Sequence, residues 1–375
     1  MAFSDFLTDI GRALSAKLDL RLNAVAAGPL HYPFVTIAEA PRRGETSMRL
    51  LLPLLLLALA AAPRPAAADP SARPDLAARL PDGRKLNFRC AGAGAPTVLL
   101  EGGYAADSLG WRKVKAALAK TYRVCTYDRA GAGFSDPGRL PRDGAAIARD
   151  LDRGLAAARI GGPYIVVGHS AGALYVRLFS NRRPQDVVAM VLVDPSIEHQ
   201  DRRFAAMFGE GAAGVGPLRA RAAQCLAAAE AGSLPATEPP LDRCVPAARP
   251  GQDPAAAAAR RAEAMRPSTW RARISELDTL WGATSNQLSA ARQSYGDLPL
   301  VVLTADGTYA AAPEAARQPL ANLWWGLHRE LARRSTRGVS RVVKGSSHMM
   351  MTDRPDAIID AVDEVASQAN MLKRR

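Results

Sequence analysis

From residue 84 onward, short apolar runs alternate with stretches in which apolar residues recur every three or four positions. Strands are predicted at 85–90, 97–100, 122–127, 164–167 and 188–193, and the runs at 97–100, 164–167 and 188–193 show no polar alternation, which predicts strands buried on both faces. Between them, Trp111, Val114 and Leu118 share one helical face, as do Ile147, Leu151, Leu155 and Ala158. A further helix is predicted over 171–181. Buried strands separated by amphipathic helices indicate an α/β domain, a parallel sheet covered on both faces.

The rhythm breaks after Pro195. Residues 197–296 are Ala- and Arg-rich and helical in tendency, with Gly/Pro interruptions such as 232–240 and no strong strand. It then resumes with a strand at 298–304, a helix over 323–333, a strand at 339–343 and a last helix over 355–366. The chain therefore divides into a first core part (69–196), an inserted helical cap (197–296) and a second core part (297–375).

The N-terminal pattern is of another kind. Met48-Arg49, an apolar run from Leu50 to Ala62 and the Ala66-Ala67-Ala68 end have the three parts of a secretory signal peptide, residues 48–68. The run falls short of the ~20 apolar residues that cross a bilayer, so no stable membrane anchor is expected after cleavage. Residues 1–47 read as an upstream extension before the true start. The expected location is secreted or periplasmic.

Composition changes this picture little. Apolar residues make up 48% and charged ones 23% of 375, ordinary for a globular protein. The net charge of +13 raises nucleic-acid binding, but the arginines are scattered, without dense runs or interleaved aromatics, so no nucleic-acid partner is expected. Export gives the four cysteines (Cys90, Cys125, Cys225 and Cys244) a reason to pair. Three pairings are open to them. No Cys-x-x-Cys or metal-ligand histidine spacing occurs, and Gly92-x-Gly94 and Gly131-x-Gly133 lack a dinucleotide fingerprint, so neither metal nor cofactor is expected.

The chemistry sits at strand ends. Gly168-His169-Ser170-Ala171-Gly172 joins an apolar strand to an amphipathic helix. The Gly-x-Ser-x-Gly form suits a sharp turn that lifts the Ser170 hydroxyl to the top of a sheet and aims the Ala171 N–H at a developing oxyanion. A serine nucleophile needs a base. Of five histidines, His348 follows the last strand in a loop, where it could converge on Ser170; the others (31, 169, 199 and 328) read as leader, elbow filler, surface or packing. Two carboxylates could orient it: Asp194, ending the strand at 188–193, and Asp306, following 298–304.

With these residues in place, the chain over 84–368 resembles the α/β-hydrolase superfamily, in particular exported members with a Cys-Ala-Gly turn, a Leu-Glu-x-Gly strand end and a Val-Cys-x-Tyr-Asp-Arg-x-Gly-x-Gly segment. Those stand here as Cys90-Ala91-Gly92, Leu100-Glu101-Gly102-Gly103 and Val124-Cys125-Thr126-Tyr127-Asp128-Arg129-Ala130-Gly131-Ala132-Gly133. The resemblance implies an eight-stranded, mostly parallel sheet with helices on both faces and a cap after the sixth strand. It implies Cys90–Cys125 and Cys225–Cys244 pairs, the second stapling the cap. It places the second oxyanion N–H on Gly103 or Tyr104, in a loop where Glu101 stands in place of the histidine of many relatives. Most members carry the acid after the seventh strand behind a Gly-x-x spacer that Asp306 lacks; Asp194 matches members that carry it after the sixth, and is favoured, with Asp306 the alternative. The implied function is a serine hydrolase of a small or medium carboxylic ester acting through an acyl-enzyme. Amidase, aminopeptidase or lactonase activity and a non-catalytic binding role are the competing readings. The partner is a small-molecule substrate.

Overall fold

The structure, a computed structural model, describes residues 70–210, 215–248 and 253–373. The expected leader and signal peptide lie outside the described residues. Eight strands are present: β1 (Leu76–Arg79), β2 (Lys85–Ala91), β3 (Thr97–Glu101), β4 (Arg123–Tyr127), β5 (Tyr164–His169), β6 (Val187–Val193), β7 (Leu300–Ala305) and β8 (Gly338–Val343). They form one sheet in the order β1-β2-β4-β3-β5-β6-β7-β8. β2 is antiparallel to both β1 and β4, and the remaining neighbours are parallel. The fold is an α/β-hydrolase sheet.

The central strands sort their side chains by alternation. Leu99, Val166, Met190, Leu192 and Val302 pack on one face with helices α2 (Gly144–Ala157) and α3 (Gly172–Arg182). Val98, Leu100, Ile165, Val167, Val191 and Leu303 pack on the other with α1 (Arg112–Leu118). Because both faces are covered, these strands read as unbroken apolar runs. The edge strand β1 carries no such signal: Leu-Ala-Ala-Arg has no β-branched or aromatic residue and buries only Ala78.

Between β6 and β7 the described residues form helices α4 (Gln200–Phe208), α5 (Gly216–Glu230), α6 (Pro254–Ala264), α7 (Pro267–Thr279) and α8 (Ser285–Ser289), with no strand among them. Cys225 in α5 is bonded to Cys244, within this segment. Cys90 and Cys125 are register partners on β2 and β4 and are bonded to each other.

After β7, helix α9 spans Glu314–Ala332, beginning well before the predicted 323 and carrying Pro319 in its interior. Proline removes one helical hydrogen bond. Here the apolar stripe of Leu320, Trp324, Leu327 and Leu331 buries enough surface to carry the helix through it. The chain ends in α10 (Met350–Asp353) and α11 (Pro355–Lys373), and α11 lays Ile358, Val362 and Val365 on the second face of the sheet.

Candidate active site

Ser170 stands at the turn between β5 and α3 with φ of +52°, in the left-handed region that non-glycine residues seldom occupy. The turn is held by Ser170 N–H donating to Val193 O at 3.1 Å, and by Ser196 N–H donating to Ser170 O at 3.0 Å. The flanking glycines are required by contact. A Cβ on Gly168 would lie 2.7 Å from Val176 Cγ2, and one on Gly172 would lie 2.5 Å from Gly102 O. The elbow is therefore wedged between its own helix and the loop after β3. Ala171 caps α3, so its peptide lies at the positive end of that helix.

Gly103 in the loop after β3 faces the elbow: a Cβ there would lie 3.0 Å from Ser170 Cβ and 3.1 Å from His169 Nδ1. Both neighbours are themselves packed, so neither can move far. Gly103→Ala is expected to lower the thermal midpoint by a few degrees, because a methyl forced against packed neighbours costs roughly 1–3 kcal/mol. A melting curve of the variant checks this.

The structure brings His348 and Asp194 together. His348 Nδ1–H donates to Asp194 Oδ2 at 2.6 Å. An ionised carboxylate only accepts, so the proton sits on Nδ1 and Nε2 is left as the basic nitrogen. Asp194 ends β6 with φ of +41° and is fully buried. It also accepts from Thr308 Oγ1 (2.5 Å), Trp324 Nε1 (2.8 Å) and Ala305 N (3.1 Å). Burial pushes its carboxyl up. The His348 hydrogen bond and charge outweigh this, with help from His328 and Thr308, and hold it at about 2.

Asp306 does different work. Its two oxygens accept the Gly345 and Ser346 N–H groups, each at 3.1 Å, and so shape the turn that leads to His348. Asp353 ties the same loop through the N–H and hydroxyl of Ser347.

Two histidines assigned by sequence to surface or packing prove to be buried beside these residues. His169 Nε2–H donates to the His348 carbonyl at 2.8 Å, and the two rings lie 4.5 Å apart. Burial and the neighbouring His348 lower its pKa to about 3, so it holds the 348 loop on the elbow as a neutral ring. His328 Nε2–H donates to Pro195 O at 2.9 Å, its Nδ1 accepts from Thr304 Oγ1 at 2.6 Å, and burial lowers its pKa to about 4. Its ring packs on Trp324 at 4.4 Å, behind Asp194. The one available signal was the i, i+4 spacing of Trp324 and His328 on a single helix face. Thr308 gave none. His199 is bonded to Ser289 of α8, and His31 lies outside the described residues.

Beyond Asp194 the chain runs into a second, half-buried carboxylate. Glu198 is gripped by Arg177 Nη1 (2.6 Å) and Nη2 (3.1 Å), and also by Arg334. Burial raises its pKa, but the Arg177 charge and hydrogen bonds, then Arg334, outweigh it and hold Glu198 at about 2 against a reference of 4.5. A carboxyl depressed by folding contributes fully above its unfolded pKa and loses that contribution as pH falls through the folded one. The Glu198 shift corresponds to about 3 kcal/mol. The urea midpoint is expected to fall as pH drops from about 4.5 towards 2, and Glu198→Gln should start lower at neutral pH and fall less steeply. Denaturation curves at several pH values read this out.

No group of three or more metal-ligating side chains occurs among the described residues, and none of their helices is long and apolar enough to cross a membrane.

Residues 96–319 match the family model described as the alpha/beta hydrolase fold. The chain is 34% identical over 106 residues to YqjL of Bacillus subtilis, covering 28% of this chain and 42% of that one. It is 37% identical over 112 residues to an AB hydrolase superfamily protein of Gibberella zeae, covering 28% and 35%. The chain thus spans less than half the length of these relatives. Among solved structures, the epoxide hydrolase CorEH aligns with a TM-score of 0.56 at 18% identity, covering 78% of this chain and 98% of that one. The deformylase Nfo of Pseudomonas putida S16 aligns at 0.50 and 19%, covering 75% and 97%. At such identities these structures share the fold.

Proposed function

The chain belongs to the α/β-hydrolase family, and from that premise and the geometry of the 170 elbow we propose that it is a serine hydrolase cleaving a small or medium carboxylic ester through Ser170, His348 and Asp194. The observation that carries the reading is a serine in left-handed backbone at an elbow whose own His169 is bonded to the His348 carbonyl, together with a His348 imidazole whose Nδ1–H is given to a buried carboxylate at 2.6 Å.

Each residue then has a role. Ser170 Oγ attacks the carbonyl carbon while His348 Nε2 takes its proton. Asp194 keeps the ring in the Nδ1–H tautomer and stabilises the imidazolium that forms. The negative charge that develops on the carbonyl oxygen is met by N–H groups of Ala171 and of the Gly103 loop. The imidazolium gives its proton to the leaving alkoxide. Water then attacks the acyl-enzyme, with His348 again accepting the proton, and Ser170 is regenerated. A serine rather than an aspartate at the elbow argues against the covalent chemistry of epoxide opening. The two disulfides support an exported protein.

A fluorophosphonate probe tests the reading, because it labels a serine only when a base and an oxyanion site activate it. Ser170 is expected to be labelled, and p-nitrophenyl esters are expected to turn over faster than aminoacyl anilides or lactones. Labelling with anilide or lactone preference would move the substrate class and keep the mechanism. A silent Ser170 in folded protein would favour a binding module.

A further inference from the structure

Arg129, in the loop after β4, uses all five of its N–H groups. Nη1 donates to Glu101 Oε1 at 2.6 Å and Gly102 O at 2.9 Å. Nη2 donates to Gly103 O at 2.7 Å and Glu276 Oε2 at 3.2 Å, and Nε donates to Glu276 Oε1 at 3.0 Å. Arg129 is 3% exposed, and its guanidinium lies 5.3 Å from the Tyr175 ring of α3. Glu276 belongs to helix α7, between β6 and β7, so one side chain joins that segment to the loop after β3.

We propose that Arg129 is the positioning residue of the oxyanion loop, fixing the Gly103 and Tyr104 N–H groups through the carbonyls it grips and coupling them to the cap through Glu276. The inference rests on the serine-hydrolase reading above. In a trans peptide the N–H points opposite to its own C=O. The Gly102 carbonyl belongs to the peptide that carries the Gly103 N–H, and the Gly103 carbonyl to the one that carries the Tyr104 N–H. Turning both carbonyls onto one guanidinium therefore turns both N–H groups away from it. Towards the elbow, Gly103 lies against Ser170 and His169, and the Gly102 oxygen that Arg129 grips also lies against Gly172. The loop is thus clamped between Arg129 and the turn that carries Ser170.

A buried charge cluster is a poor way to add stability alone, since well-packed apolar residues commonly do as well. A planar fork with five donors, however, can hold two carbonyls and two carboxylates in one plane, which a lysine with three donors at a point cannot. An oxyanion site acts through prior orientation of its donors. Loosening it weakens transition-state binding while leaving the ground-state complex nearly intact.

The test compares the full-length native chain with Arg129→Lys, Glu276→Gln and Arg142→Lys. The last removes another buried guanidinium, paired with Asp150 away from the loop, and so controls for stability alone. Kinetics on a p-nitrophenyl ester are combined with inhibition by a phenylboronic acid, whose tetrahedral serine adduct carries the oxyanion. Arg129→Lys is expected to lower kcat roughly 10- to 100-fold with KM within about threefold, and to weaken boronate inhibition by a similar factor. Glu276→Gln should move the same readouts by a smaller factor, and Arg142→Lys should lower only the thermal midpoint.

A native-like kcat for Arg129→Lys, or a loss confined to KM, overturns the inference. If Arg129→Lys does not fold, Glu276→Gln decides: a fall in kcat at constant KM supports the coupling, and a native kcat overturns it. A native chain that neither turns over esters nor takes the fluorophosphonate label sinks the hydrolase reading and this inference with it, whereas active native chain with an equally active Arg129→Lys sinks this inference alone.

Discussion

Ser170→Ala is expected to lower kcat/KM for a p-nitrophenyl ester by roughly 10⁴- to 10⁶-fold while the chain stays folded. The alanine removes one oxygen and no packing. The elbow is held by a main-chain bond to the Val193 carbonyl and one from the Ser196 N–H, neither involving the hydroxyl, so the backbone keeps its shape. Relief of the left-handed φ at 170 is not available to alanine either, because the wedge of Gly168 and Gly172 against neighbouring atoms remains. The thermal midpoint should therefore move little while turnover collapses. Residual rate would come from the oxyanion donors and binding alone. Kinetics and a melting curve on the same preparation check both halves, and a variant that keeps more than about a tenth of native activity would remove Ser170 from the mechanism.

The second large effect separates the two aspartates. Asp194→Asn is expected to lower kcat by roughly 10³- to 10⁴-fold near neutral pH, because an amide in place of the carboxylate favours the wrong imidazole tautomer and cannot stabilise the imidazolium. Asparagine is the better probe here than alanine. Asp194 also accepts from Thr308, Trp324 and Ala305, and alanine would orphan three buried donors in addition to His348. Asp306→Asn, by contrast, can keep one of its two N–H bonds to the 345–346 turn and has no bond to the His348 ring. A loss of a few-fold, through looser placement of the 348 loop, is expected. Equal losses in the two variants would contradict the assignment of Asp194 as the acid.

Much of the fold was legible because buried parallel strands write themselves as apolar runs. The strands at 97–100, 164–167 and 188–193 are covered on both faces, so burial and sequence say the same thing. Where burial is one-sided or slight the signal fades, as at Leu76–Arg79. The start of α9 was hidden for the opposite reason: Pro319 reads locally as a boundary, and only packing of Leu320 and Trp324 beneath the chain overrides it.

The candidate site divides in the same way. The sequence by itself marked the elbow, through a Gly-x-Ser-x-Gly turn between an apolar strand and an amphipathic helix, and it pointed to a histidine in a loop after the last strand. The tertiary structure decided which carboxylate meets that histidine. Asp194 and Asp306 both end neighbouring strands, and no local pattern tells which one the imidazole reaches and which one a turn consumes. It also decided what surrounds them: His169, Trp324, Thr308 and Arg129 acquire their partners from segments up to 179 residues distant. Periodicity reports how a residue faces its own element. Which groups from different elements share a proton depends on how those elements pack, and that is set only when the chain has closed on itself.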